Sequence, residues 1–123
     1  PNTGGKGCIM GPAPKTAAER ASLASLYCAL MVSESLDALH SKHTVIVDGP
    51  FSQNAVFLSA LASLRPNQTI MASAARDGTA AGAACLALMP DGVVPHIEIS
   101  MNAIAVSSIP SLKDYQARWQ HSA

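Results

Sequence analysis

Thr44-Val45-Ile46-Val47-Asp48-Gly49-Pro50-Phe51-Ser52-Gln53-Asn54 switches from one kind of backbone to another within a few residues. Thr44 to Val47 is a β-branched apolar run suited to a buried strand, and Gly49-Pro50 cannot continue that strand regularly. From Ser52 onward, Phe57, Leu58, Leu61 and Leu64 recur at helical spacing, and either Ser52 or Asn54 can cap the first turn. The segment therefore predicts strand, tight turn and helix. Such a turn lies at the carboxyl end of its strand, where open α/β sheets bind ligands, and a helix start offers unpaired N–H groups. Gly49 permits close approach of a ligand to the backbone, and Asn54 can both donate and accept hydrogen bonds, as a base or ribose requires. A plain turn and an ordinary helix cap account for the same residues.

A second stretch, Ala72-Ser73-Ala74-Ala75-Arg76-Asp77-Gly78-Thr79-Ala80-Ala81-Gly82-Ala83-Ala84-Cys85-Leu86, joins a polar turn to a helix built almost wholly of small residues. A helix of this kind can lie close to a flat ligand or to a neighbouring backbone, and for Gly82 to Ala84 tight core packing is the simpler explanation. In their order and separation, the two stretches together resemble the adenosine-binding region in the C-terminal domain of the FGGY carbohydrate kinases. The family pattern is an apolar strand, Asp/Glu-Gly-Gly and then variable positions ending in Asn, matched here by Val47-Asp48-Gly49-Pro50-Phe51-Ser52-Gln53-Asn54. The later helix of type Gly-Thr-Ala-x-Gly-Ala-Ala is matched by Gly78 to Ala84, and the segment Gln68 to Ala75 also fits. By this resemblance Gly49 and Pro50 pass along the adenine and ribose, Asn54 hydrogen-bonds the base, and the Gly78 turn walls the pocket. Pro50 replaces the second glycine and has no N–H to offer, so only its carbonyl and ring face are available.

The resemblance runs from about Ala17 to the end of the chain. It implies, over 16–123, the C-terminal portion of the nucleotide-binding domain, and the Gly- and Pro-rich composition of 1–15 predicts a loop or arm. The implied fold class is α/β, part of an actin-like, ribonuclease-H-like ATPase domain with helices packed on a largely parallel sheet. The implied activity is transfer of the γ-phosphoryl group of MgATP to a sugar or sugar-alcohol hydroxyl. The catalytic base, the phosphate loop, the Mg2+ site and the sugar-binding lobe are expected in the remainder of the kinase, so the chain alone is expected to be inactive. Asp48 and Asp77 read as caps on their turns rather than as bases. A non-catalytic nucleotide-binding or regulatory module is the alternative, and homodimerisation is open. The start at Pro1 without a methionine suggests a fragment or a processed piece.

Composition agrees with an ordinary globular domain. At 123 residues and 49% apolar content the chain can bury a real core. Eight basic and eight acidic residues balance without a run of either sign, which points away from nucleic acid and membrane surfaces. No stretch is long and apolar enough to span a bilayer. Cys8, Cys28 and Cys85 are widely spaced without a C-x-x-C pair, and Cys28 and Cys85 fall among apolar neighbours as reduced buried thiols do; a cytoplasmic setting is the simplest. His40, His43, His96 and His121 form no metal pattern, and the first two flank a helix end where a cation favours the dipole.

Elsewhere the elements follow from local signals. Thr3-Gly4-Gly5-Lys6-Gly7 is glycine-rich with a lysine but lacks the spacing of a phosphate loop. Thr16-Ala17-Ala18-Glu19 has the form of a capping box opening a helix to about Ser41, with Leu23, Leu26, Tyr27, Leu30, Val32, Leu36 and Leu39 on its apolar side and Glu34 and Asp37 in solvent. Thr69 to Ala72 predicts a strand, Pro90-Asp91-Gly92 ends the small-residue helix near Met89, and Ile97, Ile99 and Met101 alternate as a half-buried strand would. Ser111 to Asp114 resembles another capping box, before a helix carrying Leu112, Tyr115 and Trp119 on one side.

Overall fold

A computed structural model describes residues 8–9, 11–75, 78–89, 92–93 and 98–122. Among these described residues four α-helices, α1 (Ala17–Ala38), α2 (Ala55–Leu64), α3 (Gly78–Ala87) and α4 (Leu112–Ser122), accompany three short strands, β1 (Val45–Val47), β2 (Ile70–Ser73) and β3 (Met101–Ala103). The strands form one sheet in the order β1-β2-β3. β1 and β2 are parallel, with Val45 opposite Ile70 and Val47 opposite Ala72, whereas β3 runs antiparallel to β2 with Asn102 opposite Ala72. The sheet is therefore mixed: the parallel arrangement holds for the pair joined through α2. The glycine-rich Thr3–Gly7 segment, Arg76, Asp77, Pro90, Asp91, His96 and Ile97 lie outside the described residues.

α1 begins as the capping box predicts. The Thr16 hydroxyl accepts from the Glu19 N–H, and the Glu19 carboxylate accepts from the backbone N–H groups of Thr16 (3.0 Å) and Lys15 (2.6 Å). The helix ends three residues before Ser41, because His40 takes a left-handed conformation with φ 53°. The His40 N–H then donates to the Asp37 carbonyl and the Ser41 N–H to that of Leu36, the two bonds of a Schellman closure usually made with glycine.

The core lies between α1, α2 and one face of the sheet. Ala29, Phe57, Leu58, Ala60, Leu61, Ala62, Ile70 and Ala72 are buried there, with Leu26, Val32, Leu36, Val45, Val47 and Ile104 packed against them. α1 meets α2 through Ser25, Ala29, Leu30 and Ser33, so its innermost side is lined mainly by small residues at four-residue spacing. This corrects the expected apolar side at two positions: Tyr27 and Leu39 are exposed, because the buried side of α1 runs through Ser25, Ala29, Leu30 and Ser33. Asp37 is not merely solvated, since it accepts from Arg65 at 2.8 Å, and Glu34 accepts from Gln120 at 2.5 Å.

The third strand is shorter and later than the alternation of Ile97, Ile99 and Met101 implies. Its ladder covers Met101 to Ala103 and extends by one bond at each end, Ala74 N–H to the Ser100 carbonyl and Ile104 N–H to that of Ile70. Ile99 and Met101 stay exposed, and Ile104 is the residue that reaches the core, because the antiparallel pairing puts it on the α2 side. At the last helix Ser111 has φ 59°, which is not the extended backbone of a capping residue, so the expected box does not form in that way. Leu112 is buried, and Trp119 packs edge-on against Tyr27 at 6.3 Å between ring centroids.

Candidate functional site at the ends of the parallel strands

Because β1 and β2 are parallel and in register, their carboxyl ends emerge side by side, and the two predicted bends leave the sheet together. After Val47 the chain passes through Asp48 into a 3-10 turn, Gly49–Gln53, with Pro50 in its first turn. Pro50 fits there, since the first N–H groups of such a turn lack partners in any case. Gly49 has φ 69°, and a side chain built on it would meet nothing within 4 Å, so strain and not space reserves this position for glycine. The face of the backbone at Gly49 is open to an approaching group.

On the second strand, the Ser73 hydroxyl accepts from the Ala75 N–H at 3.1 Å and so starts the bend that leads to α3. α3 opens at Gly78, and Gly78 lies directly against the Asp48 carboxylate. A methyl group on Gly78 would collide with Asp48 Oδ2 and would come within 3.0 Å of the carboxyl carbon. Asp48 and Gly78 thus join the two bends. A carboxylate beside a helix N-terminus also meets the positive end of the dipole.

Asn54 stands at the far end of the 3-10 turn and caps α2. Its Oδ1 accepts from the Phe57 N–H at 3.0 Å, and its Nδ2 donates to Ser25 Oγ at 2.9 Å; Ser25 in turn donates to the Ala21 carbonyl. One N–H and one lone pair of the amide remain beyond these bonds. Phe51 holds the turn onto α2 through Phe57, with ring centroids 4.8 Å apart.

Of the four site residues read from the sequence, Gly49, Pro50 and Gly78 come together at the strand ends, and Asn54 is tied into the α1–α2 junction behind them. Ser25, Ser73 and the contact of Asp48 with Gly78 were not anticipated. A serine set among the apolar residues of α1 was the available signal for Ser25; the Asp48 contact depends on strand register, which no local pattern reveals. Two concavities are found among the described residues, the first of them touching the first bend at Phe51. One of about 300 Å3 is apolar and lined by Tyr27, Cys28, Met31, Val32, Phe51 and Phe57. The other, about 250 Å3, surrounds Arg65, Asp37, Ser33 and Gln68. Neither of these two includes Gly49, Pro50 or Gly78. Among the described residues no group of three His, Cys, Asp or Glu side chains is placed to hold a metal ion, the three cysteines are free, and no helix is long and apolar enough to cross a membrane.

Comparison with known proteins agrees with this architecture. The crystal structure of a carbohydrate kinase from Novosphingobium aromaticivorans is similar to the chain at a TM-score of 0.67 and 32% sequence identity. The similarity covers 89% of this chain and 22% of that one, so the chain spans less than a quarter of the kinase it matches. No curated protein matches the chain. The model of the family described as carbohydrate kinase FGGY, C-terminal domain, matches residues 1–95, which takes in the glycine-rich opening and both bends. The chain belongs to the FGGY carbohydrate kinases, as part of their C-terminal domain.

Proposed function

We propose that this chain supplies the adenosine-binding part of an ATP-dependent carbohydrate kinase, which transfers the γ-phosphoryl group of MgATP to a sugar or sugar-alcohol hydroxyl. The observation that carries the reading is the meeting of the two bends, Gly78 against Asp48, at the carboxyl ends of a parallel strand pair. The residues present fit a nucleoside better than a phosphate chain. Gly49 and Pro50 offer an open backbone face without a bulky side chain, the Asn54 amide keeps one donor and one acceptor for a base edge, and the Asp48 carboxylate suits hydroxyl donors and repels phosphates. The Gly78 turn forms the opposite wall.

In the complete kinase the phosphates and Mg2+ would be held by residues outside this chain, and phosphoryl transfer would rest on positioning and charge neutralisation, with a carboxylate elsewhere accepting the sugar hydroxyl proton. Gly49, Pro50, Asn54 and Gly78 contribute by fixing the nucleoside, which orients the rest of the nucleotide. The chain by itself is then inactive, and its setting is cytoplasmic, where ATP is supplied.

Calorimetric titration of the complete kinase with ATP and ADP tests this. Both nucleotides should bind, and Asn54→Ala should weaken each by about 1–3 kcal/mol, the cost of a lost hydrogen bond to a buried partner. Equal binding of ribose triphosphate lacking the base would remove the base contact and with it the assignment.

A further inference from the structure

The Arg65 side chain is only 10% exposed, yet the network around it leaves one of its nitrogens unused. Nε donates to Gln68, and Nη1 donates to the Ser33 carbonyl, the Ser33 hydroxyl and Asp37. Nη2 makes none of these bonds. Among the described residues no buried side-chain nitrogen lacks a partner, so Nη2 is open to solvent, and Arg65 lines the concavity of about 250 Å3. Other groups of that lining are donors in the same state. The Ser41 oxygen accepts from Gln68 and keeps its own O–H, while Lys42, Asn67 and Gln116 make no side-chain hydrogen bond among the described residues. Against two cations the lining has one carboxylate, Asp37, already engaged by Arg65.

The strands fix where this lies. Ser41 and Lys42 belong to the loop leading into β1, Arg65 to Gln68 form the turn leading into β2, and Gln116 comes from α4. Because β1 and β2 are parallel, the concavity is at their amino ends, opposite the bends at Gly49 and Gly78. Gln68 clamps the two loops together: its Nε2 donates to the His43 carbonyl at 2.7 Å and to Ser41 Oγ at 3.4 Å, and its Oε1 accepts from Arg65 Nε. The Arg65 and Ser41 donors are therefore held in place before a ligand arrives, which lowers the ordering cost of binding.

We propose that this concavity binds a small phosphate anion, either inorganic phosphate or a short phosphomonoester, through Arg65 Nη2, the Ser41 hydroxyl and the Lys42 ammonium. Guanidinium and ammonium donors form short, charge-assisted bonds to phosphate oxygens. The volume, about eight times the share of one water in the liquid, admits a phosphate with a few carbons attached and excludes a nucleotide. Gln116 joins the occupant to α4.

Calorimetric titration of the complete kinase with inorganic phosphate and with glycerol 2-phosphate tests the site. A non-hydrolysable ATP analogue and Mg2+ are kept in the cell to fill the phosphate positions of the reaction. At least one probe should bind saturably, and Lys42→Ala should weaken it on the order of tenfold, the loss of one charge-assisted bond. Arg65→Lys keeps the charge and removes the forked donor, so it should weaken binding by at least as much; if it does not fold, Lys42→Ala decides alone. Tighter binding of the ester assigns the site to phosphorylated metabolites, and tighter binding of the free ion assigns it to phosphate; both support the proposal. No binding of either probe overturns it, and so does binding that Lys42→Ala leaves unchanged, which would lie elsewhere in the kinase.

Discussion

Asn54 carries two duties at once, and one substitution can tell them apart. Its Oδ1 caps α2 through Phe57 N–H and its Nδ2 ties α2 to α1 through Ser25. Asn54→Ala should therefore lower stability by about 1–2 kcal/mol in urea denaturation even if no nucleotide binds, the usual loss for a cap removed. Asn54→Asp keeps the capping oxygen and loses the donor to Ser25, so it should cost less in stability while still impairing contact with a base acceptor. His40 offers the opposite case. Its φ of 53° places a β-carbon where glycine normally closes a helix, so His40→Gly should raise stability by roughly 1 kcal/mol. A denaturation midpoint that falls in His40→Gly would mean that the imidazole makes a compensating interaction at the end of α1.

At the level of elements, the ends of α1 show how much of the structure local signals carry. The Glu19 carboxylate accepts from the N–H groups of Thr16 and Lys15, and these backbone hydrogen bonds, Thr16's foremost, hold its pKa below the usual carboxylate range. A depressed folded-state pKa stabilises the helix start fully above the ordinary carboxylate range, and the stabilisation disappears as pH falls through the depressed value. Slowed exchange of the Lys15 and Thr16 amides at neutral pH should be lost on acidification, and Glu19→Gln should keep some protection but no longer respond to pH. The Thr16 box, the Asn54 cap and the helical spacing of Phe57, Leu58 and Leu61 were legible because each is written within one or two turns of chain. The Arg65 network was not. Besides its neighbour Gln68, Arg65 reaches the Ser33 carbonyl and hydroxyl and Asp37 from 28 to 32 positions away, and only the close α1–α2 packing brings those groups together. Its side chain is 10% exposed and that of Asp37 59%, so the ion pair is screened and the buried Ser33 acceptors matter more. Arg65→Met should cost about 1–3 kcal/mol, from acceptors left unsatisfied, and Asp37→Asn less than about 1 kcal/mol. Equal losses would place the stability in the ion pair. The same distinction separates the proposed site residues: Gly49 and Gly78 were expected from motif and turn chemistry, but the contact between their bends through Asp48 depends on the register of β1 and β2.

Across the whole molecule the burial is one-sided. One dense core joins α1, α2 and the inner sheet face, while α3, β3 and α4 contribute few buried side chains among the described residues, Leu112 being the one buried residue described in α4. α4 is held by Leu112, by the edge-on pair of Trp119 with Tyr27 and by the bond from Gln120 to Glu34. Tyr27 is itself half exposed, so the aromatic pair sits at the surface, where it adds about 0.5–1.5 kcal/mol. That is small beside the burial of Phe57, Leu58, Leu61 and Ile70 in the core, each worth about 1.5–3 kcal/mol. Peripheral elements with so little burial open locally before the global transition. Trp119 is the chain's one tryptophan and it lies in α4, so its fluorescence reports that helix alone. In urea its emission should shift to the red at a lower concentration than the loss of helical circular dichroism, which is dominated by α1 and α2. Leu112→Ala should widen the gap between the two midpoints by loosening the root of α4. If the two signals coincide in both proteins, α4 belongs to the cooperative core, and the α1–α2 unit does not stand on its own as these contacts imply.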